Sequence, residues 1–249
     1  MIFSAVVLAG TRPGGDPLAK AQGTSHKALI EIEGRPLLER VLTALQKSGA
    51  QPIGVSCDDP AVMALATQLG AQVLPTGRGP SDSTAIAFER FGGPMVVTTA
   101  DHALLESEWV RQLVADTPDD ADIGIMLARR EQIEATLPGS RRTYMRFADG
   151  QWSGCNLFFL KTPKARAAID SWQAVEADRK RPWRIARRLG IGTLLTYALG
   201  RLKLAQGIIK LGRRLGIEAR LVQAESGLAA VDADKPSDLE DIRSLLSPR

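Results

Sequence analysis

The chain opens on an apolar run that passes directly into a glycine-rich loop, and this pairing limits the possible folds more than any other feature. Residues 2 to 8, Ile-Phe-Ser-Ala-Val-Val-Leu, are apolar at odd and even positions with one serine between them. Such a strand is covered on both faces, as in the parallel sheet of an α/β domain. The loop after it, Gly10 to Gly23, has three glycines between Gly10 and Gly15 and two prolines, Pro13 and Pro17. Open α/β sheets bind ligands where their strands end and their loops begin. The first loop is therefore the first candidate site.

The same unit repeats downstream. Ala28 to Ile32 reads as a short extended piece, and Pro36 opens an amphipathic helix to about Lys47. Pro52 to Ser56 predicts a strand, Asp59-Pro60 caps a helix to Leu69, and Ala71 to Leu74 predicts another strand. After a Gly77-Arg78-Gly79-Pro80 loop, Ser83 to Phe91 reads as helix and Pro94 to Thr99 as a β-branched strand ending on Asp101. Strands alternating with helices at this pitch imply a mostly parallel sheet. The second half changes character. Asp122 to Ala128 predicts a strand, and Arg142–Phe147 with Gln151–Leu160 a hairpin around Asp149-Gly150. Thr162-Pro163 starts a helix to about Glu176, Glu218 to Gln223 returns to strand, and Asp234 caps a closing helix from Pro236 to Leu246.

Composition narrows the function. At 249 residues, 44% apolar and 24% charged, the chain has material for one large α/β domain with a sizeable core. The opening run lacks a basic start and a cleavage site, so it reads as a strand, and the expected compartment is the cytoplasm. Cys57 and Cys155 lack the spacing of a zinc site or a disulfide framework and read as small core residues. With only His26 and His102 present, metal centres or triads built on several histidines are not expected.

Net charge is +4, unevenly distributed. From Arg179 to Arg220 there are twelve Lys or Arg and one acid, Glu218, so this stretch carries +11 and the remainder −7. Three readings of that segment stand. It is a solvated helical cap over an acceptor pocket, a basic surface meeting anionic lipid at the inner membrane face through 179–214, or a nucleic-acid site. Nucleic acid is not expected, because aromatic interleaving is limited to Trp183 and Tyr197. The apolar stretch Ile191 to Leu199 is too short to span a bilayer.

Motif order carries the chemistry. Leu8-Ala9-Gly10 is followed by Thr11, Arg12, Lys27-Ala28-Leu29 and Gly34-Arg35-Pro36-Leu37-Leu38. This order resembles the signature of the nucleotidyltransferase superfamily that includes the molybdenum-cofactor guanylyl- and cytidylyltransferases and methylerythritol-phosphate cytidylyltransferase. The resemblance implies a Rossmann-like, three-layer α/β/α fold of the nucleotide-diphospho-sugar transferase type with a mostly parallel, mixed sheet. One domain is expected over 1–249, with a basic helical insertion at about 177–217.

The resemblance also assigns residues. Leu8, Ala9, Gly10 and Thr11 would approach the nucleotide, since glycine lets backbone N–H groups come close to phosphate. Arg12 would hold the leaving pyrophosphate with its planar fork, and Lys27 would place a compact charge on the α-phosphate. The gap between them is longer than in the molybdenum-cofactor enzymes, and His26 stands where proline is frequent, so Lys20 and Arg35 are alternative cations. Asp101, at the end of a buried strand, matches the main magnesium ligand. Val231-Asp232-Ala233-Asp234-Lys235-Pro236 resembles the C-terminal motif, with Asp232 favoured over Asp234 as second ligand. Mg²⁺ takes few protein carboxylates, its shell being completed by phosphate oxygens and water.

Gly77 and Ser83 fall where the superfamily reads base and ribose, although serine is equally a helix N-cap. Asn156, in Ser153-Gly154-Cys155-Asn156, falls on the acceptor-side strand; it either presents an amide to the acceptor or bonds to nearby backbone. The implied reaction is transfer of a nucleoside monophosphate from CTP or GTP, with a lean to CTP, onto a phosphorylated small molecule. A phosphate acceptor is already an ionised nucleophile, so no general base is required. Two rivals remain: a nucleotide-sugar glycosyltransferase, which ordinarily shows Asp-x-Asp in mid-chain, and a non-catalytic nucleotide-binding or membrane-associated protein.

Overall fold

A computed structural model describes residues 1–11, 14–140, 142–178 and 190–247. Among these, one eight-stranded sheet is built from β1 (Ser4–Ala9), β4 (Ile53–Cys57), β5 (Gln72–Leu74), β6 (Met95–Thr99), β7 (Ile123–Arg129), β8 (Met145–Phe147), β9 (Gly150–Leu160) and β10 (Ala219–Gln223). Its order is β10-β7-β9-β6-β1-β4-β5, with β8 paired to the start of β9. Neighbours are parallel except where β9 runs antiparallel to β6, β7 and β8. The mixed, mostly parallel sheet implied by the sequence is therefore present. Two further short strands, β2 (Glu31–Ile32) and β3 (Arg35–Pro36), form a separate hairpin.

Strand alternation divides the core into two layers. Ala5, Val7 and Ala9 of β1 face one side together with Val55, Val96 and Phe159. Val6 faces the other with Met95, Val97 and Leu160, so the first strand is buried on both faces as its apolar run requires. The first layer is covered by α2 (Leu37–Ser48), α3 (Pro60–Gln68), α5 (Ser107–Asp116), α6 (Arg130–Thr136) and α10 (Pro236–Leu246). The second is covered by α4 (Pro80–Phe91), α7 (Arg166–Ala177) and α9 (Leu204–Arg214). In α2 the apolar positions Leu38, Val41, Leu42 and Leu45 recur at helical spacing and are almost fully buried. Truncating one of these leucines to alanine costs about 2–5 kcal/mol.

Local signals set most boundaries. Asp59 accepts from the Ala61 and Val62 amides and starts α3, as its Asp-Pro pair predicts. Gly49, at φ 91°, ends α2 in the left-handed conformation. The hairpin around Asp149-Gly150 forms as β8 and β9. Both cysteines are buried.

Several expectations are corrected. The loop from Gly10 to Gly23 contains a short helix, α1 (Pro17–Ala21), capped by Asp16. Residues Lys27–Leu29 form a 3₁₀ turn ahead of β2 where an extended piece is expected from Ala28. Helix α4 begins at Pro80, three residues before Ser83, because proline is pre-organised for the first helical turn. The last helix is capped by the Asp238 carboxylate, which accepts from the Asp234 and Lys235 amides, and not by Asp234. Of the basic segment, 179–189 lies outside the described residues; beyond it α8 (Ile191–Ala198) and α9 are helical as expected.

Candidate functional site

The carboxyl ends of β1 and β6 and the loops after them open onto a cleft of about 1110 Å³. Leu8, Ala9, Gly10, Thr11, Lys27, Gly77, Ser83 and Asp101 all line it, so eight residues assigned from sequence converge on one place. Register explains the convergence. Leu8 pairs with Thr99 across the β1–β6 ladder, and the Ala100 amide donates to the Leu8 carbonyl. Asp101 is thereby fixed beside the first loop. Arg12 lies outside the described residues.

Lys27 is the centre of the site. The buried His26 accepts the Ala28 amide through Nδ1 and caps the 3₁₀ turn that carries Lys27. From that turn Nζ reaches Asp101 Oδ2 at 2.7 Å and Asp234 Oδ1 at 2.8 Å. Burial by itself lowers the ammonium pKa, but the Asp101 charge and the hydrogen bonds to Asp101 and Asp234 outweigh it and raise the pKa above its ordinary value. Lys27 is therefore a permanent cation here. Asp101 keeps its other oxygen, Oδ1, buried and without a hydrogen-bond partner among the described residues.

The C-terminal motif reaches the same region through backbone: the Ala233 amide donates to the Asp101 carbonyl at 3.0 Å. This fixes Asp232 and Asp234 on either side of that contact. Asp234 goes to Lys27. Asp232, 9% exposed, meets Arg142 through Oδ1 and the Asn156 amide through Oδ2 at 2.8 Å. Burial pushes the Asp232 carboxyl up from its usual range; Arg142 opposes this, and the charges of Asp234 and Asp101 add to it. Asn156 has φ 49°, rare outside glycine, close to the register shift between β9 and β7. Its side chain is thus turned onto Asp232 and not onto nearby backbone. Neither Asn156 nor Asp232 is part of the cleft lining.

The loop after β5 supplies the opposite wall. Ser83 Oγ accepts the Gly77 amide at 2.9 Å, which ties the loop to α4. Gly77 is obligatory: a Cβ there would collide with Asp82 and lie 2.7 Å from the Ser83 nitrogen. Gly10 is different, since a Cβ would meet only Thr76, at 3.4 Å. None of the described residues demands glycine at position 10, so its missing side chain leaves room for something else.

Other residues of this region gave no local signal in the sequence. Asp58 accepts from both the amide and the hydroxyl of Thr11, at 3.0 and 2.7 Å. Glu176 meets Ser81, and Gln173 donates to Asp82, which brings α7 to the rim. Arg142 holds Asp232. The alternative cations are placed elsewhere: Lys20 donates to the Gly14 carbonyl and Arg35 binds Glu39, both outside the cleft lining.

A family model for the MobA-like NTP transferase domain matches residues 5–206. The chain belongs to that family. A hypothetical transferase from Thermus thermophilus shares 34% identity, with 96% of this chain and all of that one covered, at a TM-score of 0.83. The CMP:2-keto-3-deoxy-manno-octonic acid synthetase solved with CTP has the same fold at TM-score 0.60 and 16% identity, covering 99% and 98% of the two chains. A 3-deoxy-manno-octulosonate cytidylyltransferase of Coxiella burnetii is 26% identical over 107 residues, which is 40% of this chain and 43% of that protein. The chain thus matches less than half the length of this curated relative. The family match ends before the Asp232–Asp234 motif, so the roles of those two carboxylates rest on their geometry.

Proposed function

We propose that this chain is a nucleotidyltransferase that moves a nucleoside monophosphate from CTP or GTP to a phosphorylated small molecule and releases pyrophosphate. The observation that carries this reading is Lys27. A fully charged ammonium stands among carboxylates at the base of a cleft whose wall is the Gly10–Thr11 backbone. A preorganised cation there stabilises charge as it develops on the α-phosphate. The sequence resemblance assigns Arg12 to the pyrophosphate. CTP is preferred because the curated relative is named a cytidylyltransferase. The proposed acceptor phosphate attacks as an anion, so alignment and charge neutralisation suffice.

The donor set fits Mg²⁺. No cluster of three or more His, Cys, Asp or Glu suited to a metal occurs among the described residues. A magnesium site at a triphosphate needs only one or two carboxylates. Asp101 offers its buried, unpartnered Oδ1, and Asp232 or Asp234 is the second candidate. When bound, the ion supplies charge neutralisation at the phosphates. The described lining also includes Asp16, Asp58, Asp82 and Glu176. An acidic lining of this kind disfavours a bare triphosphate and makes a divalent cation part of recognition.

Titration calorimetry of CTP and GTP with and without Mg²⁺ tests this reading. Expected is tight binding that requires Mg²⁺ and weakens at least tenfold in Asp101→Ala. Metal-independent binding, or an unchanged metal requirement in that variant, removes Asp101 from the role.

A further inference from the structure

Among the described residues outside 190–217, seven of twelve arginines are matched to acids. Arg35, Arg78, Arg130, Arg166 and Arg220 each meet at least one carboxylate. The segment from α8 to the end of α9 departs from this pattern. Arg201, Lys203, Lys210 and Arg213 are exposed, and none forms an ion pair among the described residues. Residues 190–217 contain no Asp or Glu at all.

Apolar side chains are exposed in the same segment. Leu195 and Leu199 are each 59% exposed and stand one helical turn apart, and Leu211 is exposed on α9. These are not residues awaiting a core. The inward face of α9 is already filled by Leu204, Ile208 and Leu215, packed against the sheet and the β8–β9 hairpin. The segment is anchored there by the Ala148 amide on the Leu202 carbonyl and by Asp149 accepting the Leu204 amide. A docked element that keeps leucines and unpaired cations outward, with no acid among them, is built to be covered.

We infer that α8 and α9 form an interfacial surface that binds an anionic lipid bilayer. The chemistry selects this occupant: leucines enter the acyl boundary while lysine and arginine meet lipid phosphate. A single-stranded nucleic acid would want several open aromatic platforms, and the described residues of this segment offer one aromatic, Tyr197, half-exposed with its ring edge-on to Phe147 at 5.4 Å between ring centroids. No helix among the described residues is long and apolar enough to cross a membrane, so this element lies on the surface. This surface is independent of the nucleotide cleft and of its proposed reaction.

Vesicle flotation of the full chain tests the inference, comparing pure phosphatidylcholine with phosphatidylglycerol-containing vesicles at low and high salt. The protein should float with the anionic vesicles only, and salt should weaken the association. Leu195→Asp/Leu199→Asp should abolish flotation while circular dichroism and melting temperature stay those of the parent. Lys210→Gln and Arg213→Gln should each lower the partition roughly five-fold. Failure to float, or equal flotation on neutral vesicles, overturns the inference. So does retained flotation in the double leucine variant, or a leucine-dependent dimer or single-stranded RNA binding at these residues without lipid binding.

Discussion

The Lys27 ammonium lies 2.7 Å from the Asp101 carboxylate, joining a residue from the first loop to one at the end of the fourth parallel strand of the chain. Sequence separation between them is 74 residues, and the β1–β6 register makes them neighbours. One ion pair thus ties the loop proposed to face phosphate to the proposed metal carboxylate. The sharing of Lys27 with Asp234 brings the C-terminal motif to the same point.

Lys27→Ala should abolish most turnover without unfolding the chain. Loss of a preorganised transition-state cation costs roughly 10²–10³ in kcat. A steady-state assay of the purified variant, with circular dichroism as the folding control, checks this. Near-normal kcat would show that the lysine is structural and takes no part in catalysis.

Gly10→Ala and Gly77→Ala should separate binding from folding. At position 10 the new methyl meets only Thr76, so stability changes by less than about 0.5 kcal/mol while nucleotide affinity falls. At position 77 the methyl collides with Asp82 and the Ser83 amide, which should cost about 1–3 kcal/mol. Urea melts and nucleotide titrations of both variants would reveal the contrast. Equal destabilisation would contradict it.

Arg142→Ala should strand a buried carboxylate. Both side chains of the Arg142–Asp232 pair are 13% exposed, and breaking such a pair typically costs about 3–5 kcal/mol. The pH dependence has a definite sign. The Asp232 pKa is raised above its unfolded value of 3.8, so its ionisation disfavours the fold as pH rises from that value through the higher folded pKa. The variant should therefore be most destabilised at neutral pH and recover part of the loss on acidification, when Asp232 takes up a proton. Thermal melts of variant and parent across pH 4 to 8 measure the difference. A defect independent of pH would show that Arg142 acts through packing alone.

Cys57 and Cys155 should resist thiol reagents in the folded state. Burial raises both thiol pKa values, that of Cys57 to about 11 with help from the charges of Asp58 and Asp59, so little thiolate forms near neutrality. Titration with a disulfide reagent should count no reactive thiol before denaturant is added and two after it. Rapid labelling of the native protein would contradict this.

Much of the fold was legible because its signals are local. The two-faced apolar run became β1, Asp59-Pro60 became the cap of α3, and the strand before Asp101 became β6. Helix α5 also carried a readable signal, since Trp109, Val110 and Leu113 recur at helical spacing, yet it was not among the predicted elements. Eight assigned residues meet in the cleft because motif order along an α/β chain maps onto the carboxyl edge of its sheet.

What was not legible depends on distant partners. Asp234 has the spacing of a helix cap, but attraction to Lys27, 207 residues away, outweighs that local bond, and Asp238 caps the helix instead. Thr11 binds Asp58 across 47 residues, and Arg142 binds Asp232 across 90. No spacing rule encodes such pairs. Asn156 was readable as an amide on the acceptor-side strand, whereas its turn onto Asp232 requires the left-handed backbone at the bulge.

Pyrophosphate release tests the central claim most directly. The four NTPs, each with Mg²⁺, are offered to the folded protein against pooled phosphorylated alcohols, sugars and pterins, with Lys27→Ala as control. The account predicts release with one nucleotide, CTP before GTP, dependent on both acceptor and metal and lost in the control. No release with any pair from folded protein would contradict it.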